Sequence, residues 1–429
     1  MLAMEGITIH INRLGAIRDS VVKLKPIMIF SGESGSGKSY MAMLCHYVFI
    51  VLLDKERFNR FFIQKGLIFS DMRANMHNSG DLFVLSKKEI EDFLAKDALA
   101  YLGYMLNIDN FEGDIEIKLP DTVPSEIKAT FEEEILGLQN NEEVYLKLSM
   151  LDLIYRAKDD TIGNESPFAF LLRFGLISKI FGDFKKLSDT FVLPPSRGPI
   201  LTETIYPVSG LYESFVSGLH KINRAQPHPE QVSDELVKLF SGILDGSVYR
   251  EADKYFYRST DKNFPISAAA SSIREIAPLA LLVERFDVSS IAILFEEPEA
   301  HLHPLKQRRM ADIISALNHA GAYMQITTHS DYLLRRLNEL INLQRIYLKY
   351  QDDSKFESIC EECGIPSSLK FNFDRLGAYL LNRNSDGTAE IVSQDVEDGI
   401  PFASFTAALD ASLKNAYKLN DYLENGDCC

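Results

Sequence analysis

The spacing of apolar positions changes several times along the chain. Ile7-Thr8-Ile9-His10-Ile11 alternates with period two, and Ser20-Val21-Val22-Lys23-Leu24 follows a turn at Gly15. Both patterns predict strands with one buried face. Ile27-Met28-Ile29-Phe30 is a continuous apolar run ending at Ser31-Gly32, which suits a strand covered on both faces. Ser39 to Leu53 then has helical length and composition. Further helices are predicted over Lys87 to Leu102, Ser125 to Leu138 and Glu142 to Ala157, making the segment 85–190 mostly helical. It carries no sustained heptad, so no long coiled-coil arm is expected. Val192 to Pro199 reads as a rigid loop, and a polar, irregular stretch runs on to about 265. A helix from Ser271 to Glu284, a strand from Ser290 to Glu296, a helix from Leu305 to Ala320 and a strand from Tyr323 to Thr327 come next. Beyond 343 the pattern is α+β. Gly377 to Leu381 and Thr388 to Ser393 flank a turn containing Asp386-Gly387, a hairpin signal, and Phe402 to Leu423 is a final helix.

Strands alternating with helices predict an α/β core with a helical insertion. The expected division is 1–84 and 266–342 for the two halves of the core, 85–265 for a mostly helical lobe between them, and 343–429 for the α+β segment. Composition adds limits. The hydrophobic fraction of 46% excludes a mainly disordered or collagen-like chain. With 45 Lys+Arg against 61 Asp+Glu the formal charge is −16, so nucleic acid is repelled on average and any contact needs a local basic patch. Five cysteines are too few for a disulfide scaffold and point to a reducing, cytoplasmic setting. The longest apolar stretch, Tyr40 to Leu53, is interrupted by His46 and is too short to cross a bilayer. The first residues, Met-Leu-Ala-Met-Glu-Gly, lack the basic start and apolar core of a signal peptide. No membrane partner is expected.

Gly32-Glu33-Ser34-Gly35-Ser36-Gly37-Lys38-Ser39 matches G-x-x-x-x-G-K-[ST] in full, with a predicted strand before it and a helix after it. In such a loop the glycines let successive backbone N–H groups turn inward around phosphate oxygens. The helix start adds partial positive charge. Lys38 would reach the β- and γ-phosphates of ATP and the Ser39 hydroxyl would bind Mg²⁺, with Tyr40 beside them. A glycine-rich turn without a ligand is the bland alternative. Far along the chain, Ile291 to Phe295 is an apolar strand ending in Glu296-Glu297-Pro298-Glu299. Alone, such a cluster is usually a solvated loop. Paired with a phosphate loop, Glu296 takes the metal role and Glu297 the role of base toward water.

Glu296-Glu297-Pro298-Glu299-Ala300-His301-Leu302-His303-Pro304 resembles the segment shared by ABC-type ATPases of the OLD and RecF-like group. The resemblance covers the motifs at both ends, with 257 residues from Lys38 to Glu296 where these ATPases carry an inserted lobe. It implies a P-loop NTPase fold with an ABC-type nucleotide-binding core, a helical insertion lobe and a C-terminal α+β segment. Gln325-Ile326-Thr327-Thr328-His329-Ser330 is similar to the switch-histidine segment, which makes His329 a second catalytic residue. Ala270-Ser271-Ser272-Ile273-Arg274-Glu275 is similar to the signature segment, whose Ser, here Ser271, contacts ATP held by the other subunit. Ser272 stands where Gly is common, and an ordinary Ser N-cap is the alternative. Ala300 to Pro304 would meet its twin across a homodimer or higher homo-oligomer. The His301-x-His303 pair has no evident third metal ligand.

Weaker features remain. Pro195-Ser196-Arg197-Gly198 resembles a loop of this ATPase group, and Arg197 either approaches phosphate or forms a structural ion pair. Cys360-x-x-Cys363 with Cys428-Cys429 fits a zinc site poorly. Arg308-Arg309 and Arg335-Arg336 could face DNA or simply be solvated. Many OLD relatives carry a Toprim nuclease after the switch histidine. Only 100 residues follow His329, and they hold no Asp-x-Asp, so no nuclease is expected here. The chain looks like the ATPase members of two-gene anti-phage systems such as Septu and PARIS, in which a separate nuclease or toxin is the effector. Two other readings stay open. One is an ATP-stabilised scaffold with negligible turnover; the other is a RecF-like DNA-repair ATPase.

Overall fold

The computed structural model describes residues 6–74, 80–136, 141–150, 154–157, 165–202, 207–227, 232–252, 254–260, 262–397, 399–401 and 403–424. Its strands are β1 (Thr8–Leu14), β2 (Ile17–Lys23), β3 (Ile27–Gly32), β4 (Gly80–Ser86), β5 (Gly113–Lys118), β6 (Glu126–Leu136), β7 (Asn141–Leu148), β8 (Ile154–Ala157), β9 (Asp189–Leu193), β10 (Ser247–Glu251), β11 (Lys254–Arg258), β12 (Asn263–Pro265), β13 (Ile291–Glu296), β14 (Tyr323–Thr327), β15 (Leu376–Arg383) and β16 (Ala389–Gln394). Its helices are α1 (Lys38–Leu53), α2 (Lys55–Gln64), α3 (Phe69–Ala74), α4 (Lys87–Leu106), α5 (Pro167–Phe181), α6 (Gly210–Arg224), α7 (Asp234–Leu244), α8 (Ser271–Arg285), α9 (Pro304–His319), α10 (Asp331–Tyr350), α11 (Asp353–Cys363) and α12 (Ala403–Glu424).

The fold is α/β. A nine-stranded sheet runs β5-β1-β2-β16-β15-β3-β14-β13-β9. Its β15-β3-β14-β13-β9 half is parallel throughout, and β5-β1-β2 is antiparallel. The parallel half is covered on both faces, as its continuous apolar strands require. Met28 and Phe30 of β3 pack with α1 and α5 on one face. Ile27 and Ile29 pack with α8, α9 and α10 on the other. All five strands of this half run in one direction, so the loops after β3, β13 and β14 leave the same edge.

The strands of this one sheet come from all four expected segments. β5 and β9 arise within 85–265, and β15 and β16 within 343–429. Three expectations are corrected. Ser125 to Leu138 and Glu142 to Ala157 are not helices: they hold β6, β7 and β8, which with β4 form an antiparallel sheet β4-β6-β7-β8. Ile127, Ala129 and Phe131 alternate inward, and this period-two burial overrides the helix propensity of the Glu-rich sequence. The stretch to 265 is not irregular, since it contains α6, α7 and the small sheet β10-β11-β12. The lobe is therefore mixed rather than mostly helical. The predicted hairpin is β15–β16, and the final helix is α12. Among the described residues no helix is long and apolar enough to cross a membrane.

Candidate functional site

The phosphate loop leaves β3, a fully buried strand, and enters α1. Gly32 has φ 130°, and a Cβ there would collide with the carbonyl oxygen of Leu381 on the neighbouring β15. Gly37 caps α1 in the left-handed region at φ 101°, with Ile17 directly against it. Both positions therefore demand glycine. Ser36 is fully buried and its hydroxyl donates to the Glu33 carbonyl at 2.8 Å, closing the loop on itself. Glu33, Ser34 and Gly35 form its exposed rim. The Lys38 ammonium turns back into the loop and donates to the carbonyls of Gly32 (3.1 Å) and Glu33 (2.7 Å). Burial lowers its pKa to about 8, against the opposing pull of Glu297, Glu299, Glu296 and Glu33.

The acidic strand β13 reaches the same place through β14, its parallel neighbour, which pairs in turn with β3. Ser39 Oγ donates to Glu296 Oε2 at 2.8 Å, although 257 residues separate them. Glu296 is 3% exposed. Its other oxygen, Oε1, is buried with no partner. Burial raises its pKa to about 7, the Ser39 hydrogen bond opposing and the Glu297 charge adding. A carboxylate with one oxygen spent on a serine hydroxyl and the other unsatisfied suits a hard divalent cation with oxygen ligands. Mg²⁺ therefore fits the pair Ser39 and Glu296.

The chain then turns sharply. Glu297 sits at φ 45°, a strained position for a residue with a Cβ, and its N–H donates to the Thr327 carbonyl at 3.1 Å. His329 follows β14 by two residues. Burial and the Lys38 charge lower its pKa while Glu297 opposes. Glu297, Thr327, His329, Lys38 and Ser39 line one cavity of about 370 Å³, with Tyr40 and the β1–β2 turn at Gly15-Ala16 forming another wall. Tyr40 packs edge-on to Phe111 at 5.6 Å and lies directly under Gly15. A cavity of about 870 Å³ lies elsewhere, between α7, α8 and β10–β11, and is lined largely by apolar side chains such as Val237, Phe240 and Val283. The smaller cavity is the one lined by the phosphate loop together with Glu297 and His329.

Ser271 lies apart from this cavity. It is exposed in the first turn of α8, whose N-cap is Ala270, with no side-chain cap. The alternative reading of Ser271 as a capping serine is therefore wrong. Arg197 is fully buried, donating from Nε to the Glu275 carbonyl (2.7 Å) and from Nη1 to those of Pro194 (2.9 Å) and Glu296 (3.2 Å), with its guanidinium over Phe295. It braces the end of β13 from behind, and its Nε lies 3.7 Å from the Glu275 carboxylate, the ion pair expected of it. The basic pairs are also engaged: Arg308 forks onto Glu339, Arg336 bridges Asp312 and Glu339, and Arg335 holds Asp331. His301 and His303 are exposed, and His303 Nδ1 caps α9 by accepting from Leu305 N–H. Cys360 is buried against Leu343 and Phe356 while Cys363 is exposed. Cys428 and Cys429 lie outside the described residues.

Two contributors were not singled out in the sequence. Gly15-Ala16 is brought in by the β1–β2 hairpin, for which only a turn signal exists. Glu299 is the third carboxylate of Glu-Glu-Pro-Glu. It is 9% exposed and touches Thr328 and the His329 backbone.

A family model described as an AAA ATPase domain matches residues 212–334. That span contains Ser271, Glu296, Glu297 and His329, and ends before the hairpin β15–β16. This segment of the chain is similar to an AAA ATPase domain, and the match leaves out the phosphate loop at 32–39. No curated protein matches the sequence. Solved structures similar to the chain include the SMC head domain from Thermotoga maritima, at 12% identity and TM-score 0.35, covering 92% of this chain and 100% of that one. Another is an Smc head domain with an extended coiled coil bound to the C-terminal domain of ScpA, derived from Pyrococcus furiosus, at 12% identity and TM-score 0.37, covering 98% and 100%. A third is an SmcHead bound to the C-winged helix domain of ScpA, at 11% identity and TM-score 0.36, covering 92% and 98%.

Proposed function

We propose that this chain is an ABC-type ATPase that closes with a second copy around ATP–Mg²⁺ and uses hydrolysis to reopen. The observation that carries the reading is the Ser39–Glu296 hydrogen bond, which joins phosphate loop to acidic strand and leaves Glu296 Oε1 buried without a partner. Lys38 and the loop N–H groups bind the phosphates. Ser39 and Glu296 hold Mg²⁺, which when bound neutralises phosphate charge. Glu297 lines the cavity as the general base toward water, and His329 orients that water or the γ-phosphate. The exposed start of α8 at Ser271 offers free N–H groups to the nucleotide of the other copy. Closure follows from tighter binding of ATP to the paired form.

Its output is control of a separate effector, a nuclease or toxin, in anti-phage defence. That step rests on analogy with the OLD and RecF-like group, which the Glu296–Pro304 segment resembles. A DNA-clamp role is disfavoured, because Arg308, Arg335 and Arg336 are held by acidic neighbours and the net charge is −16.

ATP binding and single-turnover hydrolysis test the reading. Lys38→Ala loses ATP binding. Glu297→Gln keeps binding and loses hydrolysis by a factor of about 10² or more. Undiminished turnover in both variants defeats the site assignment. Tight ATP binding with negligible turnover in the parent protein favours the scaffold reading.

A further inference from the structure

β13 and β14 leave the sheet side by side, Glu296 paired in register with Thr327. Beyond that pair, hydrogen bonds tie the two exits together twice. Glu299 Oε1 accepts from Thr328 Oγ1 at 2.9 Å and from the His329 backbone N–H at 2.6 Å. On the first turn of α9, Gln307 Nε2 donates to the Leu302 carbonyl at 2.9 Å, and its Oε1 accepts from Ser330 Oγ at 2.5 Å. Ser330 Oγ in turn caps α10 by accepting from Leu333 N–H at 3.0 Å. Neither Glu299 nor Gln307 lines the phosphate cavity. Both ends of the loop 300–304 are thus fastened to the segment 328–330, on either side of His329.

Resting on the functional reading above, we propose that Glu299 and Gln307 are positioning residues for His329, forming a clamp that passes the position of the loop 300–304 to the imidazole. The loop is exposed at His301 and His303, so whatever docks there acts on the clamp directly. A carboxyl group suits the first tie, because a single oxygen accepts from both the Thr328 hydroxyl and the His329 N–H. Without it the His329 peptide loses its acceptor and the ring its fixed origin. A displacement of about 1 Å at a reacting group costs on the order of 10²-fold in rate. A simple brace would lower stability on removal. A clamp lowers kcat, and does so only through His329.

The test combines steady-state ATPase kinetics with amide hydrogen exchange on the full chain. Glu299→Ala lowers kcat by about tenfold to hundredfold with KM for ATP held within about threefold. Gln307→Ala lowers kcat in the same sense. Neither adds a loss on the His329→Ala background, since residues acting through one group are non-additive. Without nucleotide, exchange at 328–331 quickens in Glu299→Ala. Glu299→Gln, which keeps an acceptor oxygen, recovers most of the lost kcat. Losses that multiply with His329→Ala, or unchanged exchange at 328–331, overturn the clamp. Full turnover by His329→Ala defeats the role assigned to His329 instead, and exchange still decides whether the clamp holds that segment. If Glu299→Ala does not fold, Thr328→Val and Gln307→Ala, each less disruptive, carry the same comparison.

Discussion

At the scale of single residues, the site is held in a costly state. Glu296 has its pKa raised from 4.5 to about 7 by burial, so the folded protein holds that proton more tightly than the unfolded chain does. The carboxyl's contribution is therefore most favourable below about pH 4.5 and is lost as pH rises through about 7. Glu296→Gln carries no such burden. In nucleotide-free protein, its stability relative to the parent rises by as much as about 3 kcal/mol between pH 4.5 and pH 8, measured by denaturant unfolding at each pH. A pH-independent difference rejects the buried placement of Glu296. The chemistry of these residues was legible in the sequence, because a phosphate loop and an acidic strand end are local patterns with fixed spacing. Glu299, Arg197 and the Gly15-Ala16 wall were not. Their roles depend on which backbone atoms lie across from them, namely those of His329, Glu275 and Glu296, and the cavity's open side.

At the scale of elements, β6 shows where pattern and propensity part. Glu132-Glu133-Glu134 favours a helix in isolation, yet Ile127, Ala129 and Phe131 point into the core and Ala129 pairs with both Phe83 and Leu148. A strand with a partner on each side satisfies both edges of its backbone, which outweighs a few tenths of a kcal/mol per residue of propensity. Ala129→Asp should cost more than about 2 kcal/mol, because a charge enters the apolar face, while Lys128→Asp changes stability by less than about 1 kcal/mol. Equal effects, compared by chemical denaturation, contradict the alternation. By contrast, α1, α8, α9, β13 and β14 were readable from sequence. Their apolar runs are local, and their tertiary setting agrees with their own preference.

At the scale of the molecule, nucleotide-dependent pairing is the property to measure. Light scattering on Glu297→Gln should show a larger mass with ATP–Mg²⁺ than without it, and Lys38→Ala should show no such growth. A mass that ignores ATP points to a preformed scaffold. The architecture behind this was only partly legible. An α/β core could be read from alternating elements, but nothing in Leu376–Arg383 says that it lies against Ile27–Gly32. Pairings of such long reach are decided by the whole set of strands competing for neighbours.

That same pairing sets a timetable for the newborn protein. The strand carrying the phosphate loop has β15 on one side and β14 on the other, and Gly32 is backed by the Leu381 carbonyl. During synthesis the loop emerges early, while its flank is made some 350 residues later, at about 5–20 residues per second. For tens of seconds a continuous apolar strand waits with an open edge, a state prone to wrong pairing. The last residue to line the cavity, His329, is made about 290 residues after Ser39, so the phosphate loop exists long before the rest of its pocket.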